Sequence, residues 1–406
     1  MEIAFWITGL LLVQTYALYP LSLPFLRLIL PSRRLRTGGL TARPKVTMII
    51  AAYNEEKAIE EKIRNCFELE FHGDLEIIIG SDGSTDRTES IAAKYAPDAK
   101  LIAFPQRSGK AQVLNRLVPR AQGDILVFCD ANTLLLKNAL QKLLSHFENP
   151  DVGCVCGRLI LHDAGHTALG VGESMYWNLE SEIKKMEGSL GIVIGANGGL
   201  YALRKELFEP IPTESKVMDD FFTTTRVLKA GKSAIYEPQA IGSEETSLDT
   251  FGEFHRKVRI SQANFNHLNR YLALLNPLRP LVAYGFLSHK FLRWIAPLLL
   301  IFLFLSNIVA APSSKLYTGL LAAQTVFYLV ALLGYALNGR VRKYKLLLIP
   351  YYFTSMNVAL LIGLFKSIFT HDTPTWNRVE RAESQFQTAG MAPIPPSRIQ
   401  AGDYPN

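Results

Sequence analysis

Charge is scarce at the start of this chain. From Met1 to Leu30 the only charged residues are Glu2 and Arg27. A membrane span needs about 20 apolar residues, and no small-residue cleavage site follows. The stretch is also long for a signal peptide, so residues 1–30 read as a retained transmembrane anchor. Acids are missing from the next stretch: Arg33, Arg34, Arg36, Arg43 and Lys45 follow with none between them. That is the pattern of a cytoplasmic flank, which puts the N-terminus outside and the following domain inside. Cysteine is rare as well. Cys66, Cys129, Cys154 and Cys156 are the full set, and the last two lie two apart in a strand-like run. This favours small buried hydrophobes over a disulfide or zinc site. The formal charge of +7 is modest and sits beside the apolar segments, which argues against nucleic acid as a partner. No internal repeat is evident, and residues 393–406 read as a disordered tail.

What is present is a globular middle between apolar ends. Hydrophobic residues make up 49% of the chain and mean hydropathy is +0.13, high for a wholly soluble protein. The excess falls in the first thirty residues and after about residue 280, leaving 44–275 with ordinary composition. Within 44–275, strand-like runs at 46–52, 75–80, 100–104 and 125–128 alternate with helix-like runs at 55–69, 86–95, 110–121 and 137–147. Such alternation predicts an α/β domain with a mainly parallel sheet and helices on both faces. Strands are expected again at 152–161 and 192–203, and helices at 219–230 and 246–275.

Beyond the middle, 268–286 carries Pro277 and Pro280, and 276–290 reads as an interfacial helix. Residues 291–311 and 316–337 read as two transmembrane helices within 291–337. Residues 346–368 are less apolar, with Pro350, Tyr351, Tyr352, Thr354, Ser355 and Asn357. They are expected to be interfacial or re-entrant, so that 369–406 stays on the cytoplasmic side. The basic run 340–345 then also lies inside.

Two carboxylate-rich turns carry the chemistry. Ser81-Asp82-Gly83-Ser84-Thr85-Asp86 follows one apolar run, and Cys129-Asp130-Ala131-Asn132 follows another. Acids at the carboxyl ends of strands lie where ligands bind in open α/β sheets. There they can hold a divalent metal and, through it, a diphosphate. Ala51-Ala52-Tyr53-Asn54-Glu55-Glu56 ends the first strand and reads as a helix opening that can receive an anion, or simply as a capped helix start. Gly109-Lys110-Ala111 opens a third helix-like run. Further on, Gly195-Ala196-Asn197-Gly198-Gly199 offers a close-approach loop or a plain turn. Asp219 and Asp220 are either reactive acids or ordinary acids at a helix start.

With these motifs in this order, residues 46–381 resemble family 2 glycosyltransferases of the GT-A fold. More narrowly they resemble the membrane-embedded branch containing hyaluronan, cellulose and poly-N-acetylglucosamine synthases. The resemblance implies a nucleotide-sugar donor, a UDP-sugar first among them, held by Ala51, Tyr53, Glu55, Asp82 and Lys110. It implies Mg2+ or Mn2+ on Asp130, with Asn132 where the family's metal motif has a second aspartate. An amide oxygen can ligate a hard cation but brings no charge. It implies Asp220 as catalytic base, with Asp219, Asn197 and Gly198 on the acceptor side. The synthases' QxxRW motif corresponds to Arg256-Lys257-Val258-Arg259-Ile260, which keeps Arg259 and lacks the tryptophan. Arg256 and Arg259 are then candidates for the acceptor side or the leaving diphosphate. Trp376, Arg378 and Arg381 resemble a gating segment that closes over the nucleotide.

The implied enzyme is an inverting glycosyltransferase of the bacterial cytoplasmic membrane, acting on a glycan or lipid-linked acceptor. Partner subunits of a polysaccharide assembly system are compatible with it. One alternative is single-sugar transfer to a polyprenyl-phosphate or glycolipid, which the missing tryptophan favours. Another is a catalytically silent subunit that binds nucleotide-sugar.

Overall fold

The computed structural model describes residues 1–30, 44–162, 168–245, 250–337 and 344–370. Arg33, Arg34, Arg36, Arg43, the basic residues of 340–343 and the segment with Trp376, Arg378 and Arg381 lie outside the described residues.

Among the described residues, eight strands form one sheet: β1 (Lys45–Ala52), β2 (Asp74–Asp82), β3 (Ala99–Phe104), β4 (Ile125–Asp130), β5 (Leu134–Leu135), β6 (Val152–His162), β7 (Leu200–Arg204) and β8 (Ser233–Glu245). Their order is β3-β2-β1-β4-β7-β6-β8-β5. The first half is parallel; β7 runs antiparallel between β4 and β6, and β6 and β8 are again parallel. The parallel strands are apolar on both faces, as their β-branched runs require. Ile49, Ile78 and Leu126 face one core, while Met48, Ile50, Ile77 and Val127 face the other.

Helices α2 (Ile59–Phe67), α3 (Thr88–Ala92), α4 (Lys110–Leu117), α5 (Ala139–Leu144), α6 (Ala168–Ser189), α7 (Asp219–Lys229) and α8 (Thr250–Asn266) complete this domain. The expected helix at 55–69 begins four residues later, at Ile59. Asn54 has φ +54°, outside the helical region, and a turn from Glu55 intervenes. The expected strand 192–203 shrinks to β7, because Gly191 and Gly195 take positive φ values of +74° and +99° that bend the chain away. The 246–275 helix also breaks: α8 ends at Asn266 and a separate short helix spans Leu268–Tyr271.

Among the described residues, four helices are long and apolar enough to cross a membrane: α1 (Glu2–Ile29), α9 (Pro280–Ser313), α10 (Lys315–Leu337) and the apolar length of α11 (Lys345–Phe369). The break expected near residue 291 does not occur. Proline sits at the first turn of α9, where its missing N–H costs nothing. From there the helix continues through the 291 position to Ser313.

These helices are not appended to the sheet domain; they share its core. Tyr19 and Leu23 of α1, and Phe286 and Trp294 of α9, belong to the same apolar cluster as Ile49, Leu126 and Phe128. Helix α11 lies along α8, where a Cβ at Gly363 would come within 2.4 Å of Ser261. Ser261 also donates its hydroxyl to the Leu360 carbonyl at 2.8 Å.

Glu173 of α6 ties α6, α8 and α11 together. It is fully buried and accepts from Arg256 and Trp177 at 2.9 and 2.8 Å and from Tyr352 at 2.5 Å, with the Lys257 ammonium at 2.8 Å. Burial would raise its pKa, but Lys257 and Arg256 hold it down at about 2. Removing one partner of such a buried cluster leaves charge uncompensated. Glu173→Gln should therefore lower stability by about 3 kcal/mol. A thermal unfolding midpoint in detergent equal to that of the parent protein would contradict this account of the hub.

Candidate active site

The sheet register brings the site together. Ala51, the penultimate residue of β1, is level with Gly80 of β2 and with Asp130, the last residue of β4. Because β7 runs antiparallel to β4, Leu200 pairs with Cys129, so the loop 195–199 arrives at the same edge as Asp130. The next segment supplies α7, whose first turn presents Asp219 and Asp220. Thr224 Oγ1 fastens loop to helix, accepting from the Ala196 N–H at 3.0 Å and donating to the Asp220 carbonyl at 2.7 Å.

Lys110 stands among the acids. Its Nζ lies 2.8 Å from Asp130 Oδ1 and 3.2 Å from Asp219 Oδ2. The second contact is close enough to pair electrostatically but too poorly aligned for a hydrogen bond. Burial pulls the Lys110 pKa down, but Asp130 and then Asp219 more than offset it and hold the ammonium charged. Lys110 is aimed from below by Asp82. Both Asp82 oxygens are taken: Oδ1 accepts from the Ser108 N–H at 2.7 Å and hydroxyl at 3.0 Å, and Oδ2 from the Gly109 N–H at 2.8 Å. Gly109 has φ +91°, which glycine adopts without strain, and Lys110 follows as the first residue of α4. The structure thus places Asp82 beneath the Lys110 loop.

Tyr53 and Glu55 lie on a neighbouring turn. The Arg107 guanidinium sits 3.8 Å over the Tyr53 ring. Asn54 Oδ1 accepts from the Thr85 N–H at 2.8 Å, and the Glu55 N–H donates to Thr88 Oγ1 at 2.7 Å, stitching the turns after β1 and β2 together.

Asp220 is half-buried and opens onto a cavity of about 600 Å³ that Asp130, Lys110, Asn197 and Gly198 also line. Burial and the neighbouring Asp219 raise its pKa to about 6, against the pull of Lys110. A side chain at Gly198 would put its Cβ 3.2 Å from Asp220 Oδ2, so only glycine leaves that oxygen uncrowded. Asn197 is buried; its Nδ2 donates to the Gly157 carbonyl at 2.8 Å and its Oδ1 accepts from Lys184.

Among the described residues no group of three or more His, Cys, Asp or Glu forms a metal cage. The donor set instead suits an ion shared with a ligand. Asp130 is 33% exposed at the cavity and can bind a cation, while the Nδ2–H of Asn132, unpartnered among the described residues, can donate to an oxygen of the ligand that shares it. Mg2+ characteristically uses one or two carboxylates plus substrate phosphates. These residues fit that mode.

Arg256 is brought to the cavity but is engaged with Glu173 and, at 2.9 Å, with Glu253. Arg259 lines the same cavity. Sequence reasoning missed α6, which contributes Glu173, Glu180 and Lys184 to the site region. Its spacing of Glu173, Glu180, Lys184 and Glu187 follows one helix face, but apolar periodicity does not report a polar face that is buried.

Comparison with known proteins bears on this edge. Residues 47–211 match the model of Glycosyl transferase family 2, a match that ends before Asp219. An N-acetylglucosaminyltransferase of Azorhizobium caulinodans is 26% identical over 223 residues, 51% of this chain and 56% of the relative. A beta-monoglucosyldiacylglycerol synthase of a Nostoc species is 27% identical over 192 residues, 45% and 41% respectively. The chain spans about half the length of the curated relatives it matches. A mannosyltransferase from Pyrobaculum calidifontis, solved with GDP-Man and Mn2+, superposes with TM-score 0.67 at 24% identity, covering 90% of this chain and 99% of that one. That likeness concerns the fold alone. The matched region, residues 47–211, holds the Asp82, Lys110 and Asp130 edge, and the eight-stranded mixed sheet around it is similar in fold to that mannosyltransferase.

Proposed function

We propose that the protein is an inverting glycosyltransferase that moves a sugar from a nucleotide-sugar, a UDP-sugar first among them, to an acceptor at a membrane. The observation that carries the reading is Asp220: a half-buried carboxylate facing the cavity, with its approach kept open by Gly198. The acceptor hydroxyl oxygen attacks the anomeric carbon of the donor sugar. The bond from that carbon to the diphosphate oxygen breaks, its electron pair leaves with the nucleoside diphosphate, and the hydroxyl proton passes to the Asp220 carboxylate. Attack opposite the leaving group inverts the anomeric centre. Asp219 and Lys110 hold the local charge balance, and Lys110 is placed to meet a phosphate at the Asp130 edge. Asp130, with Asn132, would hold Mg2+ or Mn2+, which supplies charge neutralisation for the departing diphosphate. Tyr53, Glu55 and Ala51 border the nucleoside end, with Asp82 acting through the Lys110 loop. Trp376, Arg378 and Arg381, outside the described residues, are proposed as donor-side residues on the family resemblance.

The frame is a bacterial cytoplasmic membrane, with the catalytic domain inside. Helix α11 is proposed to lie at the interface, because its partners Ser261, Glu173 and Gly172 belong to the catalytic domain. A reporter fused after Arg381 should then read cytoplasmic; an external signal would sink this topology. A second reading, single-sugar transfer to a lipid-linked acceptor, is favoured by one observation: the cavity extends from Asp130 to Phe353 and Met356 of α11.

Two measurements test the base. Turnover of radiolabelled UDP-sugars in membranes, with product analysis by mass spectrometry, should fall about 10²–10⁴-fold in Asp220→Asn. Equal turnover in both proteins would remove Asp220 from the role. No turnover by the parent protein with any donor would instead favour a silent binding subunit. The base works as the carboxylate, so kcat/KM should drop as pH falls through about 6, where Asp220 takes up its proton. A profile flat from pH 5 to 8 would contradict the assignment.

A further inference from the structure

The cavity that begins at Asp130 does not end at the acceptor loop. It continues past α6 to α9, α1 and α11, and its character changes on the way. At the Asp130 end, acids outnumber cations: Asp130, Asp219 and Asp220 surround Lys110. At the far end the balance reverses.

Lys184, Lys290 and Arg293 line this far part, and Glu180 is the carboxylate between them. Glu180 meets Lys290 at 2.7 Å and Arg293 at 3.0 Å, and His289 Nε2 at 3.0 Å. Lys184 is 4% exposed, and among the described residues no carboxylate pairs with it; its hydrogen bond goes to the neutral amide of Asn197. Glu187, the next acid along α6, is occupied elsewhere, by His289 at 2.7 Å, Tyr19 at 2.6 Å and the Ile194 N–H at 3.1 Å. Lys290 and Arg293 thus share Glu180, while Lys184 has no carboxylate in contact among the described residues and feels Asp220 only at longer range. Excess buried charge of one sign is costly unless a counter-charge arrives.

The wall beside these cations is apolar. Leu348, Phe353, Met356 and Leu360 of α11 and Met175 and Leu179 of α6 face the same space. Helix α11 and helix α1, which adds Tyr16, are among the helices apolar enough to meet lipid. A cationic pocket with an apolar flank reaching membrane helices is complementary to an anionic headgroup on a hydrocarbon chain. A free polysaccharide would leave both features unused.

We propose that the acceptor is a phosphate-bearing lipid, whose phosphate rests against Lys184, Lys290 and Arg293 while its chain lies along Leu348, Phe353 and Met356. The proposal deepens the glycosyltransferase reading and rests on it. Lys184 joins the two ends of the site, since its Asn197 partner belongs to the loop that frames Asp220. A phosphate held there would present the rest of the headgroup toward the base.

The full chain in detergent micelles can be titrated with geranylgeranyl phosphate, geranylgeraniol and inorganic phosphate. Trp177 and Trp294 line the cavity, so their fluorescence reports occupancy. Geranylgeranyl phosphate should saturate the signal with a Kd at least tenfold below that of the alcohol and of inorganic phosphate. Lys184→Met and Arg293→Gln should each weaken it about tenfold or more, with the affinity for UDP-sugar unchanged. Arg293 also holds Glu180, so its loss can unfold the protein. Met356→Trp therefore supplies an independent arm, narrowing the tail path without touching a charge; it should weaken geranylgeranyl phosphate and geranylgeraniol alike and leave inorganic phosphate and UDP-sugar unchanged.

Equal binding of the alcohol would overturn the phosphate contact, and equal binding of inorganic phosphate would overturn the lipid path. Unchanged lipid affinity in Lys184→Met and Met356→Trp would overturn the placement. The lipid titration uses no donor. Its failure therefore leaves the transferase reading standing, and absence of sugar turnover would undo that reading without altering the titration.

Discussion

The site depends on one ammonium group. Asp130 ends a strand, and Asp219 and Asp220 begin a helix almost ninety positions later in the chain. Three carboxylates at one edge repel each other strongly where water is scarce. The Lys110 ammonium, touching Asp130 and Asp219 together, makes their convergence tolerable. Its position is inherited in turn. Asp82 clamps the Ser108 and Gly109 amides, Gly109 supplies a backbone angle open to glycine, and α4 starts at Lys110. A carboxylate that contacts none of the other acids thereby governs their geometry. The same arrangement separates the fates of the adjacent pair: Asp219 is fixed against Lys110, and Asp220 is left facing the cavity with a raised pKa.

Around this edge the protein uses buried charge as connective material. Glu173 gathers donors from α6, α8 and α11, and Glu180 and Glu187 gather cations and hydroxyls from α9 and α1. Such clusters give less net stability than their short distances suggest, because each charge loses its water. They do define one arrangement: a helix shifted by a turn would leave several charges buried and unpaired. The apolar core repeats the theme, since Tyr19 and Trp294 of the long helices pack in the cluster that covers one face of the sheet.

Much of the parallel half-sheet was legible in the sequence, because strands buried on both faces read as unbroken apolar runs and their acid turns follow at once. Asp82 and Asp130 end strands and Lys110 opens a helix, so these candidates stand at element boundaries, whereas Asp220 stands out only through the family resemblance. What could not be read depends on distance. That Asp82 serves the Lys110 loop follows from contacts spanning 26 and 27 positions. Glu180 and Lys290 are 110 positions apart, and nothing local marks either as a partner. β8 escaped notice because polar residues interrupt it, and the 192–203 run looked continuous because backbone sign at Gly195 leaves no trace in hydrophobicity.

The shared core has a consequence for how such a protein can be divided. A fragment ending at Asn266 would retain every acid of the reaction edge, yet lose Phe286, Trp294, Lys290 and Arg293. Glu180 and Glu187 would then be left without the cations that neutralise them, and the cluster on one face of the sheet would lose Tyr271, Leu274, Val282, Phe286 and Trp294. The catalytic half is therefore not a portable module. Its boundary by motif and its boundary by cooperativity are different lines, and recombining it with unrelated anchors in evolution would require the anchor to bring a matching set of buried charges.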